Sequence, residues 1–196
     1  MLFQILENRL KLVIVLICIY LISWEFQVLI IFPLEQSLDF VITQHASFIF
    51  FPAGVIFISF YLLRWWFIPV VLIGRVFSGF EQAGWEFSLM LFVENGIVIC
   101  IYPLWLYILN LAKWDVFGDR DESNLTVVGA MIFQLLVTFT ISLVGAMSQV
   151  SIDAISWDQS TQYILHFISG DVLGAGVVMY LFYRWVKLAA SKPRSC

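Results

Sequence analysis

The chain has 196 residues, 62% of them hydrophobic and 12% charged, with a mean hydropathy of +0.95 and a formal net charge of −4. A soluble domain is nearer half apolar and a quarter charged, so these proportions exclude an ordinary soluble protein and indicate a polytopic membrane protein. No basic patch with interleaved aromatic residues occurs, which excludes nucleic-acid binding.

The longest polar stretch, Lys113 to Asn124, reads as a loop, so residues 1–196 form one integral membrane domain. Of the cysteines, Cys18 and Cys100 fall inside apolar runs and Cys196 is the last residue. Their spacing offers neither a C-x-x-C pair nor a metal site.

In chain order, the first predicted span is Leu10 to Phe32, interrupted by Glu25. Arg9 and Lys11 before Leu12 to Ile22 resemble a signal sequence, but Trp24-Glu25-Phe26 replaces a small-residue cleavage site, so the span is read as uncleaved. A connector, Pro33 to His45, carries Glu35 and Asp39. The second span is Ser47 to Leu63 and the third Trp65 to Phe80, with Arg64 at the tight turn between them. The fourth is Trp85 to Leu111, with Glu94 and Asn95 inside it. The fifth is Leu125 to Val150 and the sixth Gln162 to Leu188, the latter holding His166 and Asp171. Each approaches the ~20 residues that cross a bilayer, although the second and third are short.

The charges orient these six spans. With the N-terminus cytoplasmic, Arg9, Lys11, Arg64, Lys113, Arg120, Arg184, Lys187, Lys192 and Arg194 all lie inside, and the C-terminus is cytoplasmic too. The outer connectors then hold Glu35, Asp39, Glu81, Glu86, Asp153 and Asp158, and no lysine or arginine. Trp65, Trp66, Trp114 and Trp185 gather near one face, Trp85 and Trp157 near the other. The expectation is an all-α helix bundle, multi-pass in a bacterial cytoplasmic (inner) membrane and in contact with membrane lipid.

Five ionisable groups stand inside spans: Glu25, Arg75, Glu94, His166 and Asp171. Each is costly against acyl chains and is expected to face the bundle interior. At 1.5 Å per residue, all five fall within about 15 Å of the outer surface. So does Phe51-Pro52-Ala53-Gly54, where proline suits a first helical turn and glycine admits a close neighbour. A helix beginning below the surface, beside a cavity open to the outside, accounts for both features. Three acids against one arginine leave carboxyls unmatched by charge, while Arg75 and a helix N-terminus suit an anion. The sign of a ligand stays open at this point.

Purely structural readings stand beside these. Arg75 paired with Asp171 or Glu94 would lock the bundle. Gly170 and Gly174 form a G-x-x-x-G that lets a helix approach. His166 is a packing histidine, with no second histidine or cysteine placed to share a metal. Glu94-Asn95-Gly96 indicates a kink or a polar lining. No catalytic residues, metal site or cofactor are expected: G-x-S-x-G, H-E-x-x-H and phosphate-loop motifs are lacking. The Gly-x-Gly-Asp of aspartyl intramembrane proteases fails at Ile168.

Phe51, Pro52 and Gly54 early in the chain, with Gly170 and Asp171 late, resemble the first type of the bacterial membrane-associated sensor domains, the MASE group. That resemblance implies a sensory membrane domain, normally of about eight spans and fused to an output domain. Here six are expected and the chain ends shortly after Lys187, so the signal would pass to a separate protein partner. The layout is also similar to S components of energy-coupling-factor transporters, although Leu10 to Ile22 carries none of their docking alanines. Both resemblances imply a small-molecule ligand captured from the outer side. The expected ligand-binding residues are Glu25, Phe51, Pro52, Gly54, Arg75, Glu94, His166, Gly170 and Asp171. The function read here is a sensory or ligand-binding module; a transporter's substrate-binding subunit or a ligand-free assembly protein are the alternatives.

Overall fold

The computed structural model describes residues 2–38, 47–83, 89–114, 127–151 and 155–191, with backbone alone for 2–6, 80–83, 89–94, 127 and 189–191. Every regular element among them is helical. Four helical runs are long and apolar enough to cross a membrane: Glu7–Ser37, Phe51–Gly79, Val128–Ser151 and Trp157–Leu188.

The first run is α1 (Leu2–Phe26), a π turn (Gln27–Ile31) and α2 (Phe32–Ser37) end to end. The expected connector at Pro33 is therefore helix. Proline has no N–H to give and its ring crowds the carbonyl four residues back, here that of Leu29. The wider π turn just before it accommodates both problems, with the Phe32 N–H reaching back to the Gln27 carbonyl. It also corrects register. In an unbroken α-helix residues eight apart stand about 80° apart around the axis. With the π turn between them, Gln27 and Glu35 face the same way, and both are buried.

Helix α3 (Phe51–Leu63) reads FPAGVIFISFYLL, apolar around its whole circumference, as a central helix must be. Residues 52–60 are all buried. It ends where Arg64 takes φ 55°, and a 3₁₀ turn (Arg64–Phe67) leads into α4 (Ile68–Ala83). The chain reverses there: Phe60 and Phe67 meet at 5.1 Å, and both touch Tyr102 of α5 (Leu89–Leu111). Phe60 also stacks on Phe133 of α6 (Val127–Ser151) at 5.8 Å, closing an aromatic core around the C-terminal half of α3.

Contacts fix the helix directions. Phe50, just before α3, meets Gly174 and Gly54 meets Val178, so α3 runs parallel to α7 (Trp157–Ser191). Met131 meets Gly176, Thr138 meets Asp171 and Gly145 meets Tyr163, so α6 runs against α7. The packed neighbours are α1 with α3 and α4, α4 with α5, α5 with α6, and α6 and α3 with α7. With 13 residues, α3 is only about 20 Å long, short of the ~30 Å hydrocarbon layer. Among the described residues the bundle therefore has a central helix along one part of its length and none beyond Phe51.

Candidate functional site

The residues leading into α3 are held by a polar clamp. The Ser47 hydroxyl donates to the Glu35 carboxylate at 2.8 Å and accepts from Gln27 Nε2 at 2.8 Å. The Phe48 and Ile49 N–H groups donate to Glu35 Oε1 at 2.9 and 3.1 Å. Gln27 also donates to the Ile49 carbonyl, and its Oε1 accepts from the Phe51 N–H. A helix N-terminus attracts an anion because its first N–H groups lack intrahelical acceptors. Here Gln27 Oε1 takes the Phe51 N–H, and Glu35 takes the N–H groups of Phe48 and Ile49 just before the helix.

The same segment lies directly on α7. The Phe50 N–H donates to the Gly170 carbonyl at 2.9 Å. A Cβ on Gly170 would stand 2.0 Å from the Ser47 carbonyl oxygen, and one on Gly174 would stand 2.0 Å from that of Phe50. A Cβ on Gly54 would stand 2.6 Å from Val178 Cβ. The close neighbour at each of these glycines is thus this chain's own backbone or side chain. Pro52 and Gly54, expected to wall a cavity, are buried in this contact. Phe51 is half-buried, edge-on to Phe26 at 5.5 Å.

Across α5, α6 and α7 runs a chain of buried side chains. Tyr102 Oη donates to Gln134 Oε1 at 3.2 Å, Gln134 Nε2 to Thr138 Oγ1 at 3.1 Å, and Thr138 to Asp171 Oδ2 at 3.3 Å. Each donor points towards the Asp171 carboxyl, so its burial is matched by an oriented series of dipoles. Arg75 and Asp171 do not form an ion pair with each other. Arg75 Nε donates instead to the buried Asn95 Oδ1 at 2.6 Å. Helix α5 passes through Glu94-Asn95-Gly96 without a break, and of the three it is Asn95 that is buried. The side chain of Glu94 lies outside the described residues, as do His45 and Asp39.

Arg75 lines a cleft of about 40 Å³ with Ile97, Val98, Ile141, Val144, Gly145, Tyr163 and Phe167. Its position follows from α3. Ile141 and Gly145 stand one and two turns beyond Thr138 on α6, and Phe167 and Tyr163 one and two turns before Asp171 on α7. The cleft therefore occupies the level past Phe51, where the described residues include no central helix.

Of the expected site residues, Arg75 lines this cleft. Asp171 lies about one turn from it, and Gly170 faces the opposite side, towards Ser47. Glu25 is half-buried on α1 and bonds to no other described residue. His166 packs edge-on to Phe48 at 6.4 Å, and its Nδ1 is buried without a hydrogen-bond partner among the described residues. Sequence reasoning missed Gln27, Ser47, Gln134, Thr138 and Tyr163, and it placed Glu35 in an outer connector. Polar residues in apolar runs were the available signal for Gln27, Gln134 and Thr138. For Glu35 the π turn hid it.

No protein-family model, curated protein or solved structure matches the chain.

Proposed function

We propose that the chain is an integral membrane sensory or ligand-binding module, taking a small molecule in the Arg75 cleft and passing the signal to a separate protein partner. The observation that carries this reading is the cleft itself, opening where α3 stops short and holding an arginine in an otherwise apolar wall. A half-buried arginine among membrane helices is costly, and such groups mark ligand or ion pathways. Helix ends that differ only by repacking around Phe51 would let occupancy of the cleft be felt through the Ser47 clamp and α7.

In this reading the six segments that carry α1, α3 with the residues leading into it, α4, α5, α6 and α7 each cross a bacterial inner membrane, both termini are cytoplasmic, and the cleft faces outward. The uneven distribution of lysine and arginine supports that orientation. The test is native mass spectrometry of the detergent-purified chain, wild type against Arg75→Ala and Asp171→Asn. Wild type is expected to retain a small molecule and a protein partner, and the variants to release the small molecule. Variants that keep full stability, ligand and partner would overturn the reading.

A further inference from the structure

We propose that Asp171 is a proton-binding site, loaded from water in the Arg75 cleft and coupled through Thr138 to the packing of α6 on α7. The site is independent of any small molecule that the cleft takes.

The partner of Asp171 carries the first part of the case. An acid inside a membrane bundle is ordinarily matched by a fixed cation. Asp171 is buried without an ion pair among the described residues, and the group bonded to it is the Thr138 hydroxyl. A lysine or arginine in that place would suit the carboxylate alone. Thr138 suits both forms, because its O–H donates to a carboxylate oxygen or to the carbonyl oxygen of a neutral acid. Oδ2 therefore keeps its bond in either state, and Oδ1 is left to carry the proton. Behind Thr138, Gln134 and Tyr102 need not move.

Access carries the second part. Oδ1 accepts no bond from a described residue. Among those residues the buried side-chain polar atom that lacks a partner is His166 Nδ1, so Oδ1 is not sealed from solvent. Phe167, one turn before Asp171, and Ile141, one turn beyond Thr138, both line the cleft. Its volume of about 40 Å³ is room for about three waters at 10–15 Å³ each, with Arg75 and Tyr163 as polar lining.

The charged surroundings are few. Helix α6 has no titratable residue, and α3 has only Tyr61, at the end away from Phe51. Beyond them stand Arg75 of α4, bonded to Asn95, Tyr20 of α1 and Tyr102 of α5. On α7 itself Tyr163 lines the cleft and His166 packs on Phe48. Loading is one proton transfer: a hydronium ion in the cleft becomes water, Oδ1 gains an O–H bond and the carboxylate loses its charge. The Thr138 bond then passes from charge-assisted to neutral, which is roughly half as strong, and the tie between α6 and α7 loosens.

The test is infrared difference spectroscopy of the full-length, detergent-purified chain, carrying ¹³C at its aspartate carboxyls and titrated between about pH 9 and pH 4. A neutral-carboxyl C=O band is expected to grow on acidification, to shift with the label and to vanish in Asp171→Asn. Imidazole gives no such band, so His166 does not confuse the reading. Thr138→Val should move the band to higher frequency, because its oxygen loses a donor, and Thr138→Ser should restore it. That pair decides the matter if Asp171→Asn does not fold. A Cβ on Gly145 would stand 3.1 Å from the Tyr163 hydroxyl, so Gly145→Val fills the cleft. It should slow the exchange of the carboxyl proton in D₂O by about tenfold or more. An aspartate band present at every pH, none at any pH, or one indifferent to Thr138→Val overturns the proton site. Exchange unchanged in Gly145→Val overturns the route through the cleft.

Discussion

At the scale of single residues, the polar groups in the bundle divide by what they touch. Glu35 receives three donors from Ser47, Phe48 and Ile49, and these tie the start of α3 to α1 and α2. Glu35→Gln keeps the shape but removes the charge that strengthens each bond. It should cost about 1.5–3 kcal/mol, read as reduced resistance to denaturation in detergent. The glycines divide in the same way. Gly170→Ala drives a methyl into the Ser47 carbonyl and should cost at least about 2 kcal/mol. Gly96 has open space around its Cβ position, so Gly96→Ala should be neutral or stabilising by up to about 1 kcal/mol in the same assay. Equal effects at the two positions would show that close packing at Gly170 is not what holds the segment. Sequence pattern marked Gly170 and Gly174 as a close-approach surface. It left open what approaches, because a loop carbonyl and a helix backbone make the same demand on a glycine.

At the scale of elements, α3 and the π turn do the organising. The start of α3 at Phe51-Pro52 was legible from proline at the first turn, whereas its burial along residues 52–60 was not. The π turn was not legible, because it answers a local conflict at Pro33 that a loop would have resolved equally well. If Pro33 maintains the π turn, Pro33→Ala lets the helix relax to regular α and swings Glu35 away from Ser47. That variant should then lose stability despite gaining helix propensity. Combined with Glu35→Gln, its loss should be well below additive, because both changes break the same clamp. A double-mutant cycle in detergent unfolding measures this. Full additivity would mean that Pro33 and Glu35 act separately.

At the scale of the whole molecule, helix directions place the exposed Arg9, Lys11, Arg64, Lys113, Arg184 and Lys187 at one end of the bundle and the exposed Asp158 at the other. If the basic end is cytoplasmic, a membrane-impermeant maleimide added to intact cells labels Ser156→Cys and spares Lys113→Cys in a background lacking Cys18, Cys100 and Cys196. The reverse pattern would invert the orientation and put the Arg75 cleft on the cytoplasmic side.

Composition and apolar length determined by themselves that this is a helical chain with membrane-crossing segments, because the length of an apolar run is a local property. They also marked Arg75 and Asp171 as residues that lipid would not tolerate. Tertiary structure decided which of the marked residues meet. Pairing depends on helix directions, on the reversal at Arg64 and on the register shift of the π turn, and each combines residues far apart in the chain. That is why Asp171 turned out to be bonded to Thr138, Arg75 to Asn95, and the start of α3 to Glu35, while the cleft opened beyond it.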